Sequence, residues 1–151
     1  IVVTSLMLLH NAYCSEFSQK SLQDGEIYDG LDVASVRYGE HSEFIRLVFD
    51  VVYWQGYESQ LIGKNAKSTG FYKASLSNNN REMLLALSGF RSFSASIADI
   101  NNVLNKSIVL SRITDERYAD DSTIFLKLMS SSPLCYRLFS LKDPSRIVFD
   151  I

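Results

Sequence analysis

From residue 31 onward, apolar residues come in short bursts divided by polar or glycine punctuation. Runs of this length and spacing predict strands near Val33–Tyr38, Ile45–Val52, Tyr57–Ile62, Phe71–Leu76, Met83–Leu87, Ile108–Ile113, Thr123–Met129, Cys135–Leu141 and Arg146–Ile151. Turn signals separate them: Gly39-Glu40-His41, Gln55-Gly56, Ser77-Asn78-Asn79-Asn80, Ala119-Asp120-Asp121 and Asp143-Pro144-Ser145. In one stretch the period changes. Over Ser96–Leu104 the apolar positions Ile97, Ile100, Val103 and Leu104 recur at helical intervals, and Ser96 with Asp99 fits a capping box. The pattern predicts an all-β sandwich or barrel of about nine short strands with one short crossover helix.

Residues 1–14 follow a different rule. They carry no charged side chain, and Ile1, Val2, Val3, Leu6, Met7, Leu8 and Leu9 dominate the first nine positions. That run is shorter than the about 20 residues a bilayer span needs, but it suits the apolar part of a signal peptide ahead of Ala12-Tyr13-Cys14. The expectation is export, with no stable transmembrane segment once the signal is removed. A buried N-terminal strand is the competing reading. Lipidation at Cys14 is disfavoured because Tyr13 and Asn11 stand where acylation wants smaller or aliphatic residues. Cleavage after Cys14 would leave Cys135 as a lone thiol. Residues 15–30 are polar and aperiodic, which predicts a loosely ordered leader before a domain spanning 31–151.

The most informative feature is a repeat. Arg46-Leu47-Val48-Phe49-Asp50-Val51 returns one hundred residues later as Arg146-Ile147-Val148-Phe149-Asp150-Ile151. In a strand, Leu47, Phe49 and Val51 share one face, as do Ile147, Phe149 and Ile151, and these faces should turn inward. Arg and Asp within one copy stand roughly 13 Å apart in an extended chain, too far to pair. Two arrangements remain open. The copies pair antiparallel, setting Arg46 against Asp150 and Arg146 against Asp50, or they lie in different sheets with local partners.

Composition narrows the chemistry. Lys and Arg total 15 against 17 Asp and Glu, a balance that argues against nucleic acid as a partner. Two histidines and two cysteines leave too few ligands for a zinc site, no cofactor motif occurs, and the acidic run Asp115–Asp121 reads as a solvated hairpin tip. A Cys135–His41 nucleophile pair lacks a turn or helix start to activate the thiol. The chain therefore reads as a non-enzyme. Candidate ligand contacts are Arg37, Arg46, Asp50, Arg146 and Asp150, together with Trp54 and Tyr57 of the aromatic cluster Tyr53-Trp54-Gln55-Gly56-Tyr57.

Two segments resemble a known family. Val33-Ala34-Ser35-Val36-Arg37-Tyr38-Gly39-Glu40-His41, followed by Arg46-Leu47-Val48-Phe49-Asp50, is similar to the opening of AMIN and AMIN-like domains. The end, Tyr136-Arg137-Leu138-Phe139-Ser140-Leu141-Lys142-Asp143-Pro144-Ser145-Arg146-Ile147-Val148-Phe149-Asp150, resembles that family's close. The likeness brackets residues 31–151; Ile45 departs from the aspartate often found before the first motif arginine. It implies a non-catalytic β-sandwich of the bacterial cell envelope that binds peptidoglycan or an envelope protein partner, as such modules do beside cell-wall amidases and in secretins. The alternative is a β-barrel or sandwich holding a small molecule in its interior.

Overall fold

The computed structural model describes residues 17–54, 64–106, 110–117 and 123–151. The expected strand Tyr57–Ile62, and Tyr57 itself, lie outside the described residues, as does the apolar segment 1–14. Among the described residues ten strands form two five-stranded sheets. The first sheet has the order β1 (Leu22–Asp24), β4 (Phe71–Ser77), β5 (Glu82–Ser88), β8 (Thr123–Ser130), β7 (Leu110–Arg117). The second has the order β6 (Phe90–Phe93), β2 (Leu31–Glu40), β3 (Ile45–Tyr53), β10 (Arg146–Asp150), β9 (Arg137–Leu141). The all-β sandwich expected from the sequence is the fold observed. Among the described residues one helix, α1 (Ile97–Leu104), packs against β7 and β2 and so bridges the two sheets. Its N-cap is Ser96, whose Oγ accepts the Asp99 amide at 3.1 Å, satisfying one of the amides left open at a helix start.

Alternation builds the core. Leu47, Phe49 and Val51 of β3 and Ile147, Phe149 and Ile151 at β10 are all buried, as their shared parity requires. Tyr72, Leu85, Leu87 and Leu126 of the first sheet meet them across the sandwich, and Tyr136, just before β9, joins the same cluster. The Phe49 and Phe149 rings contact edge to face at 5.6 Å between centroids.

Three departures from the sequence reading have local causes. Residues 17–30 do not behave as a loose leader. Ser18 bridges Tyr136, and Leu22–Asp24 pairs antiparallel with β4, because those backbone groups find the open edge of the first sheet. The four-residue β6 arises where the chain switches sheets after Gly89. Gly89 has φ +86, and a Cβ there would stand 1.7 Å from the Tyr28 carbonyl oxygen, so only glycine makes this crossing. Finally, Cys135 is disulfide-bonded rather than a lone thiol. The sequence's other cysteine, Cys14, lies outside the described residues. The asparagine turn behaves as expected: Asn78, Asn79 and Asn80 all take positive φ (49, 53 and 62°) and close the β4–β5 hairpin.

Candidate functional site

The repeated motif strands pair with each other. β10 lies antiparallel to β3 with Asp150 opposite Arg46, Val148 opposite Val48 and Arg146 opposite Asp50. Ile45 and Ile151 exchange both backbone hydrogen bonds, at 2.8 and 2.9 Å. The alternation then makes Arg46/Asp150, Val48/Val148 and Asp50/Arg146 non-hydrogen-bonded pairs, the kind whose side chains approach most closely. All six residues lie on the outer face of the second sheet.

Of the two expected cross-strand ion pairs, one forms. Arg46 grips Asp150 with both arms of its guanidinium, at 2.6 and 2.9 Å. From the other flank Arg137 of β9 donates Nε and a terminal N–H to the same carboxylate, at 3.1 and 2.5 Å. Asp150 is fully buried, whereas the Arg46 and Arg137 side chains keep 32% and 45% exposure. Phenyl rings frame the two guanidinium groups. Arg46 lies over Phe44 and Phe139 at 5.3 and 5.7 Å, and Arg137 lies over Phe17 at 5.2 Å. His41 stacks on Phe44 with 4.4 Å between centroids.

Asp50 takes a different partner. The register of β2 against β3 shifts between Val33 and Ser35, a bulge at Ala34. It leaves Val36 and Tyr38 on the inner side, where they pack against the core, and turns Ser35 and Arg37 toward Asp50. Ser35 Oγ donates to Asp50 at 2.6 Å, and Arg37 donates Nε and a terminal N–H at 2.9 and 2.7 Å. Arg146, opposite Asp50 in register, makes no ion pair with it; its Nε donates to the Pro144 carbonyl at 3.1 Å. Among the described residues, Arg146 is the arginine of this face without a carboxylate at ion-pair distance. Leu141, 40% exposed, stands beside it on β9.

Burial pushes the Asp150 carboxyl up, but the hydrogen bonds from Arg46 and Arg137 outweigh it and hold the group below the ordinary carboxylate range. Asp50 is likewise lowered by Arg37, Ser35 and the field of Arg146 against the upward push of burial. A carboxylate with a depressed folded pKa contributes stability that is fully present above its unfolded value near 4 and is lost as pH falls through the folded value. The melting temperature should therefore hold nearly level from pH 7 to 5 and drop below about 4, and Asp150→Asn should flatten that acid limb. A melting temperature that rises on acidification below 4 would contradict the assignment.

Trp54 stands just past the end of β3 opposite to Arg46. The Trp54 amide bonds the Gly30 carbonyl at 2.9 Å, placing Trp54 beside the start of β2. Arg37 stands seven residues further along that strand, about 20 Å away in extended chain. Its stacking chemistry put Trp54 among the candidates, and the fold sets it well apart from Arg37. Conversely, sequence reading missed Arg137, Phe44, Phe139 and Phe17. The signal for two of them was present: Arg137 and Phe139 share parity on one strand, and so occupy one face.

The residues define a class of protein: an all-β sandwich with a polar, ring-framed arginine face on one outer sheet. Among the described residues, no group of three or more His, Cys, Asp or Glu side chains is placed to hold a metal ion, and no helix is long and apolar enough to cross a membrane. Comparisons with family models, with curated proteins and with solved structures find no match to this chain.

Proposed function

We propose that this protein is a non-enzymatic, exported module of the cell envelope, AMIN-like in type, whose outer arginine face on the second sheet binds peptidoglycan. One observation carries the reading. Among the described residues Arg146 has no carboxylate at ion-pair distance, and it stands on β10 between exposed Leu141 and Asp50. Peptide stems of peptidoglycan offer carboxylates that a guanidinium fork recognises with two parallel hydrogen bonds.

Arg46, Arg137, Asp50 and Asp150 hold the shape of the face, and Arg146 together with the exposed Arg37 edge meets the ligand. The disulfide at Cys135 supports export, since such bonds persist in oxidising compartments. A ligand held between the sheets draws less support, because Tyr72, Tyr136, Phe49, Phe90 and Phe149 occupy that space.

Co-sedimentation with purified cell-wall sacculi tests the proposal. The protein should pellet in a salt-sensitive manner, and Arg146→Ala should weaken retention about tenfold, the loss expected for one charge-assisted contact. Lys73→Ala, on an exposed position of the first sheet, should leave it unchanged. Equal retention of the wild type and Arg146→Ala would remove this face from the binding site.

A further inference from the structure

The two copies of the repeat treat their cross-strand charges differently. Arg46 and Asp150 stand opposite each other in a non-hydrogen-bonded pair and close on one another. Arg146 and Asp50 occupy the equivalent positions, and their side chains leave the sheet side by side, yet they form no ion pair.

Each is drawn off by a neighbour on its own flank. Arg146 Nε donates to the Pro144 carbonyl at 3.1 Å, which ties the root of the guanidinium to the turn before β10. Its two terminal nitrogens, the edge that grips a carboxylate end-on, have no carboxylate at ion-pair distance among the described residues. Asp50 is drawn the other way, toward β2. Its Oδ2 accepts from Ser35 Oγ and Arg37 Nε at 2.6 and 2.9 Å, whereas Oδ1 accepts a terminal N–H of Arg37 at 2.7 Å. A carboxylate offers about four acceptor sites, so Asp50 keeps one on Oδ1, and its side chain retains 24% exposure. Against the upward push of burial, Arg37, Ser35 and the field of Arg146 keep this carboxyl ionised at neutral pH. Asp150 offers nothing comparable, being fully buried and gripped by two arginines.

An open cationic edge beside an open anionic one suits a ligand that carries both charges on one carbon. We infer that Arg146 and Asp50 together hold an α-amino-carboxylate head group, its carboxylate on the terminal nitrogens of Arg146 and its ammonium on Asp50 Oδ1. On the wall-binding reading of this face, on which the inference rests, that head group is the free end of a stem diamino acid such as diaminopimelate. A lysine stem presents the ammonium without the carboxylate. Leu141, opposite Arg146 on β9 and 40% exposed, gives the methylene chain an apolar surface. A simple anion would need only Arg146 and a simple cation only Asp50, so neither uses the juxtaposition.

Calorimetric titration of the protein with four disaccharide-tripeptides tests this. One ends in diaminopimelate, one has its distal amine acetylated, one has its distal carboxyl amidated, and one carries lysine instead. The first should bind, and each of the others should bind at least tenfold more weakly, the loss expected for one charge-assisted contact. The protein variants should match the ligand changes. In Arg146→Gln, amidation of the carboxyl should no longer matter; in Asp50→Asn, acetylation of the amine should no longer matter. Residues that only shaped the face would weaken all four fragments alike. Equal binding of the four fragments by the wild type would overturn the inference and leave the wall reading standing, as would an amidation cost that survives Arg146→Gln. Free diaminopimelate binding as tightly as its fragment, with no pelleting on sacculi, would do the reverse, keeping the head-group site and removing the wall. Binding of neither the free amino acid nor any fragment would overturn both.

Discussion

Replacing both Arg46 and Arg137 by Met should destabilise the protein by about 3–5 kcal/mol, the cost of stranding a buried charge. Asp150 has no exposed surface, and its only side-chain ion-pair donors among the described residues are these two arginines. Removing them leaves a carboxylate that cannot reach water. The reverse change is milder. Asp150→Asn leaves two arginines that already have partial exposure and can rehydrate, so it should cost about 1–3 kcal/mol. Replacing all three by apolar residues of similar size should recover most of the loss, since no buried charge then remains. Urea denaturation of the four proteins checks this ordering. Asp150→Asn proving costlier than the double arginine variant would contradict the view that the carboxylate is the group being held.

Phe149→Ala should cost about 3–5 kcal/mol, as large-to-small changes at well-packed rings do. Phe149 is 1% exposed and stands opposite Leu47 on one side and Leu138 on the other. Its ring also meets Phe49 edge to face. A double-mutant cycle with Phe49→Ala should return a coupling of about 0.5–1.5 kcal/mol beyond the area lost. A loss below about 1.5 kcal/mol for Phe149→Ala would mean that this edge of the sandwich is loosely packed.

Much of the architecture was legible because one physical rule dominates it. The parity of Leu47, Phe49 and Val51, and of their counterparts a hundred residues on, announced two strands with one buried face each. Of the two arrangements the motif left open, the antiparallel pairing that sets Arg46 opposite Asp150 is the one observed. What stayed hidden depends on events that leave little mark on local pattern. The bulge at Ala34 gives Asp50 to Arg37 rather than to Arg146, and nothing in Val33–Arg37 flags an extra residue. Strands of three and four residues, Leu22–Asp24 and Phe90–Phe93, are too short for periodicity to register. They exist because neighbouring strands present open edges. Phe17 reaches Arg137 only through the Ser18–Tyr136 bridge, a contact between the two ends of the described chain.

The repeat thus carries a division of labour that its near-identity conceals. In the second copy Asp150 is gripped from both sides; in the first Asp50 is satisfied from β2. Arg46 is spent on structure, while its twin Arg146 has no carboxylate at ion-pair distance among the described residues and is the arginine we propose for the ligand. Titrating soluble disaccharide-peptide fragments of peptidoglycan into protein with ¹⁵N-labelled arginine side chains tests this division most directly. The Nε resonance of Arg146 should move furthest, Arg37 less, and Arg46 and Arg137 scarcely at all. Shifts confined to residues of the first sheet, or none at any arginine, would show that the face does not bind the cell wall.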